Sequence, residues 1–178
     1  MSPDSFPMPD RMPLVTSPTD PIAEATRQWR EHGWADAAAG MAAITSLMRA
    51  HQIALARVEA VLKPHGITFA RYEVLMLLWF SSRGSLPMRV IGSRLQVHPT
   101  SVTNAVDRLE SAGLVRREPH PSDRRATLVE ITDAGREVAG AATKDLNDQV
   151  FTDPGLTPED VAAVTSVLET YRRNAGDF

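Results

Sequence analysis

The segment Leu86–Thr132, LPMRVIGSRLQVHPTSVTNAVDRLESAGLVRREPHPSDRRATLVEIT, decides the fold of this 178-residue chain. Its apolar residues first recur every three or four positions, which is helical spacing, and after Gly113 they follow the shorter period of strands. Between the two strand-like runs, Pro119–Asp123 reads PHPSD, which is typical of a turn. The order of helix, short turn, helix and two-stranded hairpin predicts a winged helix-turn-helix.

The second helix of this segment has an apolar face and a polar face, and the polar face is the more informative about function. Pro99 suits a first helical turn because it has no N–H to leave unpaired, and Gly113 suits the residue just past the end. The spacing of Val102, Val106 and Leu109 places all three on one buried face. The other face presents small hydroxyls, an amide and a guanidinium, which can approach DNA bases and phosphates closely. A plain solvated helix is the alternative, but it would usually carry Lys and Glu there. The residues of this predicted reading face are Thr100, Ser101, Thr103, Asn104 and Arg108, next to Pro99.

The predicted hairpin carries Asp123, Arg124 and Arg125 at its tip. An arginine on a projecting hairpin can enter the minor groove of DNA, where the potential is most negative. An ordinary surface hairpin with an internal Asp–Arg pair is the alternative. Its position directly after the hydroxyl-rich helix favours DNA binding.

Charge is distributed unevenly along the chain. Residues 83–125 contain eight arginines and four acids, a net +4, so the rest of the chain carries −7 within a total of −3. The positive field is therefore concentrated on the predicted DNA-binding segment. The arginines expected to contact phosphates are Arg83, Arg89, Arg94, Arg108 and Arg116.

Composition narrows the class of protein. The chain has no cysteine, which excludes disulfides, thiol redox sensing and cysteine-ligated zinc, and no two of its five histidines have the spacing of a helical metal site. We expect no metal and no cofactor. A phosphate-cradling glycine loop and a nucleophile elbow are both missing, so we expect no enzyme activity. No apolar run reaches about 18 residues and no signal peptide is visible, which predicts a cytoplasmic protein. Arginine far outnumbers lysine, which favours a GC-rich bacterial genome.

Two motifs resemble a known family. Val106–Glu110 followed by Ala112–Val115, and Pro121–Arg125 followed by Val129–Thr132, resemble the end of the recognition helix and the wing of MarR (multiple antibiotic resistance) regulators. The order of elements is similar over about residues 35–174. The resemblance implies a homodimer that binds a pseudo-palindromic operator, commonly as a repressor, and that a small organic or aromatic acid often releases. It also implies a bridge between Asp107 and Arg125.

The remaining segments predict a helical platform around this DNA-binding unit. Residues 1–20 contain five prolines and predict a disordered tail. Residues 21–66 and 132–178 predict dimerisation helices on either side of a DNA-binding domain at 67–131, in which residues 81–87 are expected to form a loop. Seven residues with alternating three- and four-residue spacing form a coiled-coil seam. They are Met41, Ile44, Met48, His51, Leu55, Val58 and Leu62.

A ligand pocket in such regulators lies between the dimerisation helices and the DNA-binding unit. The resemblance makes His51, Arg71, Tyr72 and Trp79 its candidate lining, although aromatic residues at helical spacing are more often core. The extra amino-terminal helix with Trp29 is similar to that of a subgroup that responds to urate or to aconitate-like acids. In the urate-responsive pattern, however, Glu73, Trp79 and Ala105 stand where an Asp and two arginines are expected, which argues against a urate site. A winged helix used for docking another protein is the alternative function.

Overall fold

The computed structural model describes residues 19–119 and 126–178. The predicted tail up to residue 18 and the predicted wing tip, with Asp123, Arg124 and Arg125, lie outside these residues. The helices are α1 (Pro21–Glu31), α2 (Ala35–Leu62), α3 (Phe69–Trp79), α4 (Met88–Leu95), α5 (Pro99–Ser111), α6 (Asp133–Leu146) and α7 (Pro158–Asn174). The strands are β1 (Ser85–Pro87), β2 (Val115–Pro119) and β3 (Thr127–Ile131).

The chain divides into two compact units, one up to Ile53 and one from Ala54 to Phe178, so that α2 contributes to both. In the first unit, α1 begins at Pro21, because the Asp20 side chain accepts from the Ile22 N–H and proline suits a first helical position. Gly33 ends the turn after α1 at a φ of 86°, a conformation that favours glycine. The indole rings of Trp29 and Trp34 then meet edge to face, 5.2 Å apart.

The second unit has one hydrophobic core beneath the segment predicted to bind DNA. Helices α3, α5 and α6 contribute fully buried side chains, and Val102, Val106 and Leu109 lie on the buried face of α5 as predicted. Val129 and Ile131 of β3 close the core from the sheet side. The outward face of α5 is therefore fixed by the burial of its inner face.

The sheet has a third strand that the sequence analysis missed. Its order is β1-β3-β2, with both pairings antiparallel. The prediction that residues 81–87 form only a loop is wrong for β1, where Leu86 pairs with Val129. A three-residue strand ending in Pro87 has no readable period, and its pairing depends on a partner 43 positions along the chain. The mainly helical fold with a small wing is confirmed.

Three threonines precede helices of the second unit. Thr132 accepts from the Gly135 N–H ahead of α6, and Thr157 accepts from the Asp160 N–H ahead of α7. Thr68 precedes α3 but makes no capping hydrogen bond. Instead, the carboxylate of Glu59 reaches across from α2 and accepts from the Phe69 N–H at 2.8 Å.

The segment after α6 leads to a helix with little cover. A π-helical turn, Asn147–Phe151, continues α6, and Arg57 donates to the carbonyls of Asp153 and Pro154, which fixes the loop before α7. No residue of α7 is buried, and its apolar residues, such as Val167, face outward. In the described part of the chain, no helix is long and apolar enough to cross a membrane.

Candidate nucleic-acid interface

The outward face of α5 is built as the sequence predicts. All of the predicted reading residues from Thr100 to Arg108 are exposed, opposite the buried valines and leucine. Pro99 occupies the first position, and the imidazole of His98 accepts from the Thr100 N–H at 3.3 Å. Ser101 and Asn104 make no side-chain hydrogen bond to other described residues, so their donors and acceptors are available to a ligand.

Thr103 differs from the other hydroxyl residues on this face. Its Oγ1 donates to the Pro99 carbonyl at 3.0 Å. Because this bond uses the only hydroxyl proton, Thr103 can offer a base edge its oxygen as an acceptor or its methyl group, but no donor.

The turn between α4 and α5 uses an unusual residue. Gln96 caps α4 in the left-handed region at φ 53°, where a glycine is the common choice. This conformation ends α4 and lets the chain turn into α5, which packs against α4. Arg89 and Arg94 of α4 and Arg83 of the preceding loop are exposed, as phosphate contacts need to be.

An ion-pair cluster joins α5 to the wing strand β2. Arg117 donates to Asp107 at 2.5 Å and also binds the carboxylate of Glu110, whose other oxygen accepts from the Arg117 backbone N–H at 3.1 Å. Burial alone would lower the pKa of Arg117, but its hydrogen bonds with Asp107 and Glu110 outweigh burial and raise that pKa. The predicted bridge from Asp107 to Arg125 involves a residue outside the described part. Within it, Arg117 is the partner of Asp107.

Among the arginines predicted to contact phosphates, Arg116 lies close to two carboxylates that would compete with DNA for its guanidinium. Its guanidinium bonds Glu130 at 3.0 Å and lies 3.5 Å from Glu118. The hydrogen bond to Glu130 raises the pKa of Arg116. DNA would have to share or replace these carboxylates, so Arg116 is a weaker candidate than Arg89, Arg94 or Arg108.

The residues predicted to line a ligand pocket are differently placed. His51 is exposed and belongs to the first unit. Tyr72 is buried with its hydroxyl bonded to Thr143 Oγ1 at 2.9 Å, which fits a core residue. Trp79 packs over Gly140, leaving 37% of its surface exposed. Arg71 alone lines open clefts of the second unit.

Sequence reasoning missed Arg117 as a functional residue. The signal was present, because Arg117 follows the buried Val115 by two positions and so shares its inward face of β2.

No three His, Asp or Glu side chains within residues 19–119 and 126–178 are placed to hold a metal ion together. These features define a winged helix-turn-helix protein in which α5 exposes polar side chains and the neighbouring α4 exposes arginines.

Known proteins share this arrangement. The model of the MarR family matches residues 67–127. The solved structure of Sco5413, a MarR family transcriptional regulator from Streptomyces coelicolor, is 55% identical, with a TM-score of 0.72 over 78% of this chain and 96% of its own. Sco3205, a MarR family transcriptional regulator from the same species, solved in complex with DNA, is 27% identical. Its TM-score is 0.65 over 74% of this chain and 85% of its own. The transcriptional regulator MhqR of Bacillus subtilis is 29% identical over 64% of this chain and 78% of its own.

The protein therefore belongs to the MarR family of transcriptional regulators. The matched relatives are transcriptional regulators rather than enzymes.

Proposed function

We propose that this regulator binds a pseudo-palindromic operator as a homodimer and acts as a cytoplasmic repressor without enzyme activity. The observation that carries the proposal is the outward face of α5, where Ser101 and Asn104 have unused hydrogen-bonding groups beside the exposed Arg108. A helix fits the major groove, and short polar side chains on it can reach base edges. The structure of Sco3205 in complex with DNA supports this use of the fold.

The four-part division of the chain belongs to the same proposal. Residues 67–131 would bind DNA, and residues 21–66 and 132–178 would build the dimer. Support for the dimer comes from apolar residues that the rest of the described chain leaves exposed. Met48 of the α2 seam is 62% exposed, and Val167 of α7 is 66% exposed. A second copy would bury both helices and place two copies of α5 about one DNA turn apart.

The wing tip and an effector complete the proposed mechanism. Arg124 or Arg125 would enter the minor groove beside the major groove that α5 occupies. A small organic or aromatic acid would release the operator only if it binds a non-binding arrangement of the two DNA-binding units more tightly. His51, Arg71, Tyr72 and Trp79 remain proposed ligand residues. The buried hydroxyl pairing of Tyr72 makes it the least accessible of these.

The proposal is tested by titrating a duplex that spans the DNA upstream of this protein's own gene, followed by fluorescence anisotropy. We expect binding at least about a thousandfold tighter than to a random duplex of equal length. Asn104→Ala should lower that preference by about 1–3 kcal/mol, because a base contact is lost. Equal affinity for both duplexes would refute specific readout at this DNA and favour the protein-docking alternative.

A further inference from the structure

A cleft of about 620 Å³ lies between the first turn of α3 and the outward face of α5. Its walls come from two elements that are not neighbours in the chain. Helix α3 contributes Arg71, and α5 contributes Ser101, Asn104 and Arg108. The cleft therefore opens directly beside the side chains that the proposed function places in the major groove.

The charges along this cleft favour an anion. Arg71 is half-buried and Arg108 is exposed, and neither makes an ion pair with another residue in 19–119 or 126–178. Asp107 is the one acidic side chain along the cleft among these residues, and Arg117 holds it at 2.5 Å. Two unpaired guanidinium groups beside a neutralised carboxylate leave the cleft with a net positive charge.

The neighbouring acid, Glu59, does not cancel this charge. Its Oε1 accepts from the Phe69 N–H at 2.8 Å, and its side chain lines a second cleft of about 410 Å³ on the α2 side of Arg71, together with Lys63. Arg71 thus stands between two clefts. The α5 side holds the second arginine, and the α2 side holds one lysine and one acid.

Neither guanidinium has an ion-pair partner among the described residues, so both can bind an anion from outside the chain. The planar fork of arginine matches the oxygens of a phosphate, and such charge-assisted hydrogen bonds are stronger than neutral ones. Phosphates border the major groove along both edges. A helix seated in the groove therefore brings the protein surface beside it against one strand of the backbone.

We propose that Arg71, together with Arg108, binds a phosphate of the DNA backbone in this cleft, so that α3 as well as the helix-turn-helix contacts the operator. The proposal rests on the proposed DNA-binding function. It reassigns Arg71 from ligand binding to DNA binding. A free oxyanion, such as inorganic phosphate, has the same chemistry and is separated from DNA by the experiment.

The experiment measures operator affinity between 50 and 300 mM NaCl for the wild type, Arg71→Ala and Arg71→Lys. A phosphate contact contributes about 0.9 to the slope of log affinity against log salt. Because the proposed homodimer carries two copies of Arg71, Arg71→Ala should lower the slope by about 1.8 and weaken binding roughly sixtyfold at 0.1 M salt, the factor that this change in slope gives between 0.1 and 1 M. Arg71→Lys should recover most of the slope. The loss should be equal for operator and random duplexes, because a phosphate carries no sequence information.

Two controls separate this role from others. Lys63→Ala removes a cation that lines only the second cleft, so it should leave the slope unchanged. Thermal unfolding of each variant excludes loss of folded protein as the cause, and Arg71→Lys provides the charge-preserving comparison. Replacing chloride with inorganic phosphate at equal ionic strength tests the free anion.

Three outcomes would overturn the phosphate contact while the proposed function stands. In the first, the wild type discriminates the operator and Arg71→Ala leaves the slope unchanged. In the second, Arg71→Ala lowers discrimination rather than slope, because Arg71 would then position α5. In the third, inorganic phosphate weakens DNA binding by the wild type but not by the variant, while their slopes agree. A wild type without operator preference would instead refute the proposed function.

Discussion

At the scale of single residues, Glu73 is the clearest mismatch between a side chain and its surroundings. It lies on α3, is partly buried, and makes no hydrogen bond or ion pair with other described residues. Burial raises the pKa of this carboxyl above its usual value because the ionised form loses water. The ionised form is therefore less stable in the folded protein than in the unfolded chain. The resulting penalty exists above the unfolded pKa of about 4.3 and disappears as the pH falls below it.

We predict that Glu73→Gln raises the midpoint of thermal unfolding at pH 7. The gain should shrink as the pH is lowered through 4, because the wild-type carboxyl then becomes neutral as well. Glu137→Gln on the exposed side of α6 is the matched control and should show no such pH-dependent gain. A lower midpoint for Glu73→Gln at pH 7 would mean that the charge has a stabilising partner, which contradicts the prediction.

Single residues also show where sequence reasoning stops. The caps at Asp20, Thr132 and Thr157 could be predicted because a cap depends on residues two or three positions away. The capping of α3 by Glu59 could not, because that carboxylate comes from a different helix. The left-handed backbone conformation of Gln96 could not be predicted either, since no local pattern marks a glutamine for that conformation.

At the scale of elements, the orientation of α5 relative to the wing depends on Arg117. This side chain joins Asp107 and Glu110 of α5 to strand β2, and its partial burial limits screening by water. The sequence predicted both elements, and the family resemblance implied a bridge from Asp107 to Arg125, which lies outside the described residues. The pairing of Asp107 with Arg117 could not be predicted, because it depends on the register of β2 against β3, where Arg117 pairs with Val129.

We predict a coupling of about 1 kcal/mol between Asp107→Ala and Arg117→Ala in a double-mutant cycle, measured by urea unfolding at one protein concentration. The value should lie below that of a fully buried pair because Asp107 is half exposed. The exposed pair Lys144–Asp148 on α6 offers a control cycle that should show little or no coupling. Additive effects of the two substitutions would show that Arg117 does not hold the two elements together.

At the scale of the whole molecule, the chain has more apolar surface than it covers. The core of the second unit accounts for the buried end of the α2 seam, where Val58 and Leu62 lie. Ile44 and Met48 nearer the start of α2, and Val164 and Val167 of α7, are exposed in the described part of the chain. Periodicity predicts an amphipathic helix wherever it occurs, but it cannot say whether the partner lies in the same chain. The structure shows that Val58 and Leu62 pack in the core of their own chain, whereas Met48 is exposed.

We predict that Met48→Glu weakens self-association about a hundredfold or more, because two copies would have to bury unpaired carboxylates in the seam at a cost of several kcal/mol. Sedimentation equilibrium over a range of protein concentrations measures this directly. Ser46→Glu introduces the same charge on another face of α2 and should leave the dimer intact. Operator affinity should fall with the dimer in Met48→Glu, since half-sites one turn apart are then bound singly. A variant that stays dimeric would move the interface away from α2, while a monomer that binds the operator as tightly as the wild type would show that DNA binding does not require the dimer.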